Sequence, residues 1–109
     1  MTIDRKKVKN VFKKYTDNYD TSDDKIKLKV DHTYRVAALS ERIASSLGLG
    51  DDDTNLAWLI GMLHDIGRFE QLKNYGTFSD AESIDHAHYG VELLFEDGLI
   101  EKFASENDT

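Results

Sequence analysis

The 109-residue chain has no cysteine and no proline. Without cysteine there are no disulfides and no thiolate ligands, so any metal must be held by imidazole and carboxylate groups. The same absence suits a reducing compartment, and a cytoplasmic location is expected. Without proline nothing forbids long helices, and the 7 glycines gather at a few points (48 and 50, 61 and 67, 76, 90, 98). Long segments with localised breaks are the punctuation of an all-α protein. No apolar run approaches the length of a membrane span, and the first dozen residues are basic and polar, unlike a signal peptide. No membrane partner is expected.

Charge is unevenly spread. Residues 1–30 carry 9 Lys/Arg against 5 acids, a net of +4, while residues 31–109 carry 5 against 16, a net of −11. So acidic a body repels nucleic-acid backbones and favours cations, so no nucleic-acid partner is expected and a metal site is weakly favoured.

In residues 3–20 the spacing of Val8, Val11, Phe12, Tyr15 and Tyr19 predicts an amphipathic helix, with Arg5, Lys6, Lys9, Lys13 and Lys14 forming a solvated face rather than a binding patch. Residues 1–22 are expected to pack on the core of a single domain. Thr21 to Asp24 has helix N-cap chemistry, and the following segment runs to Leu47 and Gly48 with Val36, Leu39, Ile43 and Leu47 as its predicted inward stripe. His32 lies one turn before Val36 on that line. A lone histidine there is more often a hydrogen-bonded core residue than a ligand. Asp51 to Asp53 suit the positive end of the next helix, predicted from about Asn55 to Ile66 with Leu56, Leu59, Ile60 and Leu63 inward and Trp58 and Met62 widening the face.

That helix ends in His64-Asp65, followed by Gly67 as an expected stop. With 4 His and 14 Asp in the chain, chance supplies a His-Asp pair in roughly half of such sequences, so only context can give it meaning. Arg68 to Tyr75 predicts a further turn or two of helix, and the polar loop at Gly76 to Asp80 carries an exposed-looking Phe78 that could cover a site. A helix from Ile84 to Glu96 holds His86 and His88, which point to nearly opposite sides. At most one can join an internal site, and His86 is the expected one. Asp97-Gly98 breaks this helix before a last one containing Leu99, Ile100 and Phe103. Three core-side histidines and an acid make a plausible site for a first-row divalent ion, while a purely structural role for all four stays open on spacing alone.

The segments Val-Asp-His-Thr-Tyr-Arg-Val-Ala-Ala-Leu-Ser (30–40), Met-Leu-His-Asp-Ile-Gly-Arg-Phe (62–69) and Ser-Ile-Asp-His-Ala-His-Tyr-Gly-Val-Glu-Leu-Leu (83–94) resemble, in order and spacing, the HD superfamily of metal-dependent phosphohydrolases. The resemblance covers roughly residues 28–104. It implies a compact all-helical bundle of about five to six helices, with His32, His64 and Asp65 as metal ligands. Asp65 is then the catalytic carboxylate and can bridge two ions. His86 corresponds to an additional histidine near a second metal or the substrate phosphate, and Arg68 to a phosphate contact. One or two divalent ions (Mn, Fe, Zn, Ni, Co or Mg) are implied, with a small phosphorylated substrate, a nucleotide among the options.

One departure stands out: the superfamily's last ligand is an Asp on a later helix, and neither Asp97 nor Asp108 matches it. The expectation is a partial domain whose natural chain continues, rather than an incomplete site. Hydrolysis of a phosphomonoester or phosphodiester by metal-activated water is the expected reaction. A sensor or interaction domain that keeps the fold and binds metal or nucleotide without turnover is the alternative, and a purely structural bundle ranks third.

Overall fold

The structure, a computed structural model, describes residues 3–82 and 85–103. Helix α1 (Arg5–Thr16) begins where the Asp4 side chain accepts the backbone N–H of Lys7, satisfying one of the donors that a helix start leaves unpaired. Val8, Phe12 and Thr16 face inward, and Phe12 meets the rings of Tyr34 and Phe69 edge-on. The helix stops before residue 20. Asn18 donates to the carbonyls of Lys14 and Tyr15, which competes with continuing the helix, so Tyr19 reaches the core from a turn.

Lys6, Lys9, Lys13 and Lys14 are exposed, as the amphipathic pattern predicts. Arg5 departs from that pattern. Its guanidinium lies 4.8 Å over the Trp58 ring, bonds the Asn55 side chain and pairs with Glu41. One side chain thus fastens α1 to the next two helices. Arg5→Ala is expected to cost about 1–2 kcal/mol in urea unfolding, with Arg5→Lys recovering little because an ammonium lacks the planar fork that serves both acceptors.

Helix α2 (Asp24–Ser46) is capped by Asp23, whose carboxylate accepts the Lys25 N–H. Its buried face is Ile26, Thr33, Ala37 and Ala44. The predicted stripe is therefore corrected: Leu39, Ile43 and Leu47 are more than half exposed. Helix α3 (Asp51–Leu63) is corrected in the same way, burying Trp58, Gly61 and Met62 while Leu56 and Ile60 face outward. Backbone proximity is the reason. A Cβ on Gly61 would lie 2.6 Å from the Ala37 Cα and 2.9 Å from its nitrogen, so α2 and α3 pack through their smallest residues and the larger aliphatics are turned aside. Helix α3 also starts four residues earlier than predicted, because Asp51, Asp52 and Asp53 occupy its first turn beside the positive end of its dipole.

Helix α4 (Ile66–Tyr75) buries Ile66, Gly67, Phe69, Gln71 and Leu72 and ends at Gly76, whose φ of 70° is the left-handed cap that glycine adopts without strain. After a 3₁₀ turn at Asp80–Glu82, helix α5 (His86–Val91) is capped by Asp85 and runs into a π-helical turn, Glu92–Glu96. Its predicted start at Ile84 lies outside the described residues. Helix α6 (Leu99–Phe103) follows Gly98. The described residues contain no strand, and the fold is all-α as expected. Phe12, Trp58, Met62, Ile66, Phe69, Leu94 and Phe103 are among the residues that tie all these helices except α5 into one core, where Ile26 and Ala37 represent α2. Among the described residues no helix is long and apolar enough to cross a membrane.

Candidate metal centre

Helices α3 and α4 are separated by two residues, His64 and Asp65. Asp65 leaves the helical region with φ −111° and ψ 20°, which swings its carboxylate off the line of α3 and lets two consecutive side chains converge. Gly67 does not make this break. It sits inside α4 with negative φ, and a Cβ there would meet the His86 carbonyl oxygen at 2.4 Å and the Gly90 nitrogen at 2.7 Å. Its function is to let α5 approach, which brings His86 to the junction. The expected stop at Gly67 is thus corrected. From the other side Tyr15 donates its hydroxyl to the Ile66 carbonyl (3.2 Å) and receives one from Tyr19 (3.0 Å). Burial pushes the Tyr15 hydroxyl up to about 12, so it stays a donor.

The Asp65 carboxylate is the buried centre of the site. Its Oδ2 lies 3.4 Å from His32 Nε2 and 3.2 Å from His64 Nε2, and its Oδ1 lies 3.4 Å from His86 Nε2. The sequence-predicted residues His32, His64, Asp65 and His86 therefore meet. They do not meet in the core, however: only Asp65 is buried, and the three imidazoles are partly exposed around it. His32 follows the exposed line of α2, the same rotation that turns Leu39 and Ile43 outward. His88 is exposed and pairs with Glu92 at 3.1 Å, apart from the cluster. Phe78, expected to be exposed, is half-buried against the core.

Two of the rings have their tautomer set. His64 Nδ1 is 2.6 Å from the Gly61 carbonyl and His86 Nδ1 is 2.8 Å from Asp80 Oδ2. A carbonyl or carboxylate can only accept, so each Nδ1 carries a proton. Asp65 too can only accept, so His64 Nε2 donates to it while the ring is charged, and giving up that Nε2 proton frees a lone pair for an ion.

Three further groups were not singled out from sequence. Lys29 places its ammonium 3.3 Å from Asp65 Oδ2 and 5.1 Å from the centre of the Phe78 ring. Its signal was available, since it precedes His32 by three residues on one helix face. Asp80 and Gln71 left no such trace. Arg68, the expected phosphate contact, donates through Nη1 to Gln71, the Phe78 carbonyl and Asp80. Its Nε is buried with no hydrogen-bond partner and lies 3.9 Å from Asp65 Oδ1.

Burial works to raise the Asp65 pKa, but the hydrogen bond and charge of His64 and the charge of Lys29 outweigh it and hold the carboxyl well below its usual range. The bond to Asp65 raises His64, whereas burial and the Lys29 charge lower His32. The result is one fixed anion ringed by nitrogen groups.

This donor set fits a divalent ion. Ligand atoms of His32, His64 and Asp65 lie within 4.8 Å of one another, and metal–ligand bonds of about 2.1 Å imply ligand separations of about 3.0–3.4 Å, close to the distances from Asp65 to His32 and His64. The orphaned Arg68 Nε–H beside them calls for an acceptor that the protein itself does not provide. Asp80, Asp85 and His86 form a second, more exposed group whose ligand atoms also lie within 4.8 Å of one another.

Fold and site together define a helical protein with an imidazole–carboxylate centre at a helix junction. The HD domain family matches residues 30–107, and the chain belongs to that family, whose members are generally metal-dependent phosphohydrolases. Helix α1 lies outside the matched stretch and yet supplies Val8 and Phe12 to the core. A protein named Ribonuclease Y from Opitutus terrae is 37% identical over 65 residues, which are 60% of this chain and 10% of that protein. The chain therefore covers about a tenth of that relative's length. No solved structure matches the chain significantly.

Proposed function

We propose that the chain hydrolyses a phosphomonoester or phosphodiester of nucleotide size, with His32, His64 and Asp65 holding a divalent ion and His86 and Arg68 addressing the phosphate. The observation that carries this reading is the convergence of three Nε2 atoms on the buried Asp65 carboxylate. Bound there, the ion supplies a Lewis acid that polarises a phosphoryl oxygen and acidifies water. Asp65 stays ionised and would supply the carboxylate of that ligand set. With its Nδ1 proton held by the Gly61 carbonyl, His64 would present Nε2 to the ion. Arg68 Nε–H offers a fixed donor to a phosphoryl oxygen, and Lys29 offers a cation beside Asp65. His86 would contact the phosphate or help to hold a second ion.

Phosphodiester cleavage is also what the name of the ribonuclease relative implies for that protein. The net charge of −11 over residues 31–109 favours a small phosphate ester over a long polyanion here. A second reading, a sensor that binds without turnover, draws support from Lys29, whose ammonium already pairs with the carboxylate and competes with a metal for it.

Metal analysis of the purified protein, followed by a panel of aryl phosphate mono- and diesters and nucleotides with Mn²⁺, separates the two readings. Metal-stimulated turnover that His64→Ala abolishes is expected. Tight nucleotide binding without turnover, unchanged by His64→Ala, favours the sensor, and absence of both metal and turnover removes the enzyme reading.

A further inference from the structure

The geometry points to Asp80 as a positioning residue that aims His86 and Arg68 at the metal centre. The inference rests on the proposed role of His86 toward metal or phosphate. Asp80 stands on the 3₁₀ turn between α4 and α5 and uses both oxygens. Oδ2 accepts the His86 Nδ1–H at 2.8 Å, whereas the carboxylate on the other side of the ring, Asp65 Oδ1, is 3.4 Å from Nε2. Asp80 is the nearer acceptor, so a ring with a single proton keeps it on Nδ1, and Nε2 is the nitrogen available to an ion or phosphate. Oδ1 accepts from Arg68 Nη1 at 3.0 Å and from Gln71 Nε2 at 2.9 Å. Gln71 is fully buried, and its own oxygen accepts from the same Arg68 nitrogen.

Arg68 is thus held by Nη1, and its buried Nε, which has no hydrogen-bond partner, lies 3.9 Å from Asp65 Oδ1. A carboxylate fixed at both oxygens and bonded to the far nitrogen of a ligating histidine sets tautomer and ring orientation together. Hydrogen bonds from His86 and Gln71 hold the Asp80 carboxyl down at about 2, so it is an acceptor throughout the working range.

Asp80→Asn tests this without changing side-chain size. Gln71 and Arg68 both donate to the Oδ1 position, so the amide oxygen is retained there and the amide nitrogen faces His86. A donor opposite Nδ1 forces the ring proton to Nε2. Nitrogen-15 NMR of the metal-free protein, recorded where the ring carries a single proton, is expected to show His86 protonated on Nδ1 in the wild type and on Nε2 in Asp80→Asn. Titration calorimetry with Co²⁺ is expected to show affinity reduced by roughly 10- to 100-fold in Asp80→Asn, a changed visible spectrum, and partial recovery of both in Asp80→Glu.

The proposal is overturned if Asp80→Asn keeps the Nδ1–H tautomer and binds Co²⁺ within twofold of the wild type. The tautomer measurement needs no metal. A wild-type protein that takes up no Co²⁺ therefore removes the metal reading of the site, while the ring proton still decides the role of Asp80.

Discussion

Asp65→Ala is expected to bring the metal content of the purified protein to background and, in the metal-free state, to lower stability by about 2–3 kcal/mol. Both effects follow from the position of this carboxylate. It is the only buried member of the cluster and faces Lys29, His32, His64, His86 and Arg68 within 4 Å. Its removal takes away the shared donor and leaves the Lys29 ammonium and the Arg68 guanidinium without the carboxylate they share. Partial exposure of the imidazoles moderates the cost, since water screens what the carboxylate no longer neutralises. Elemental analysis and urea unfolding in a chelator measure the two effects separately. A purely structural bundle predicts the opposite pattern, with metal at background in the wild type as well and stability unharmed or raised when the charge is removed.

Gly67→Ala is expected to destabilise the protein by about 3 kcal/mol, a large effect for one added methyl group. The added carbon would stand 2.4 Å from the His86 oxygen and 2.7 Å from the Gly90 nitrogen, and both are backbone atoms that no rotamer change can move aside. Relief requires α5 to shift away from α4, so His86 is carried from Asp65 and metal affinity falls along with stability. The sign of the change is informative. If Gly67 merely ended a helix, alanine inside α4 would be tolerated or would stabilise it by about 1 kcal/mol through helix propensity. Gly76→Ala is a useful comparison: it has open space around it and a φ of +70°, so its cost is confined to backbone strain of about 1 kcal/mol.

The difference between Gly67 and Gly76 also marks what a sequence can disclose. A glycine after a run of helical residues has a local signature, and Gly76 and Gly98 fall where a chain break is legible. Gly67 and Gly61 satisfy a distant backbone instead. Nothing in the neighbouring residues says that Ala37 lies against one and Gly90 against the other. The same limit explains the helix faces. Periodicity assigns the inward side to the largest aliphatics, so Leu39, Ile43, Leu56 and Ile60 were expected to be buried. Close packing of α2 on α3 instead selects Ala37, Ala44 and Gly61, residues whose merit is that they take up little room. Likewise Asp80 is an ordinary loop acid until the chain folds, and only then does it meet Arg68, Gln71 and His86.

What the sequence by itself determined was the helical class, through absent proline and 3.6-residue periodicity, the exclusion of thiolate chemistry, and the identity of the imidazoles and carboxylate that meet. Composition and periodicity are local properties of the chain and suffice for the first two, whereas the choice of side chains rested on three motifs that resemble a known family in order and spacing. Tertiary structure alone decided that His64 and Asp65 converge because the helix breaks at them rather than at Gly67, that Lys29 and Arg68 stand beside the carboxylate, and that Asp80 directs His86 from behind. Each of these depends on a distance between backbone segments, which is set by packing and is not written in any one of them.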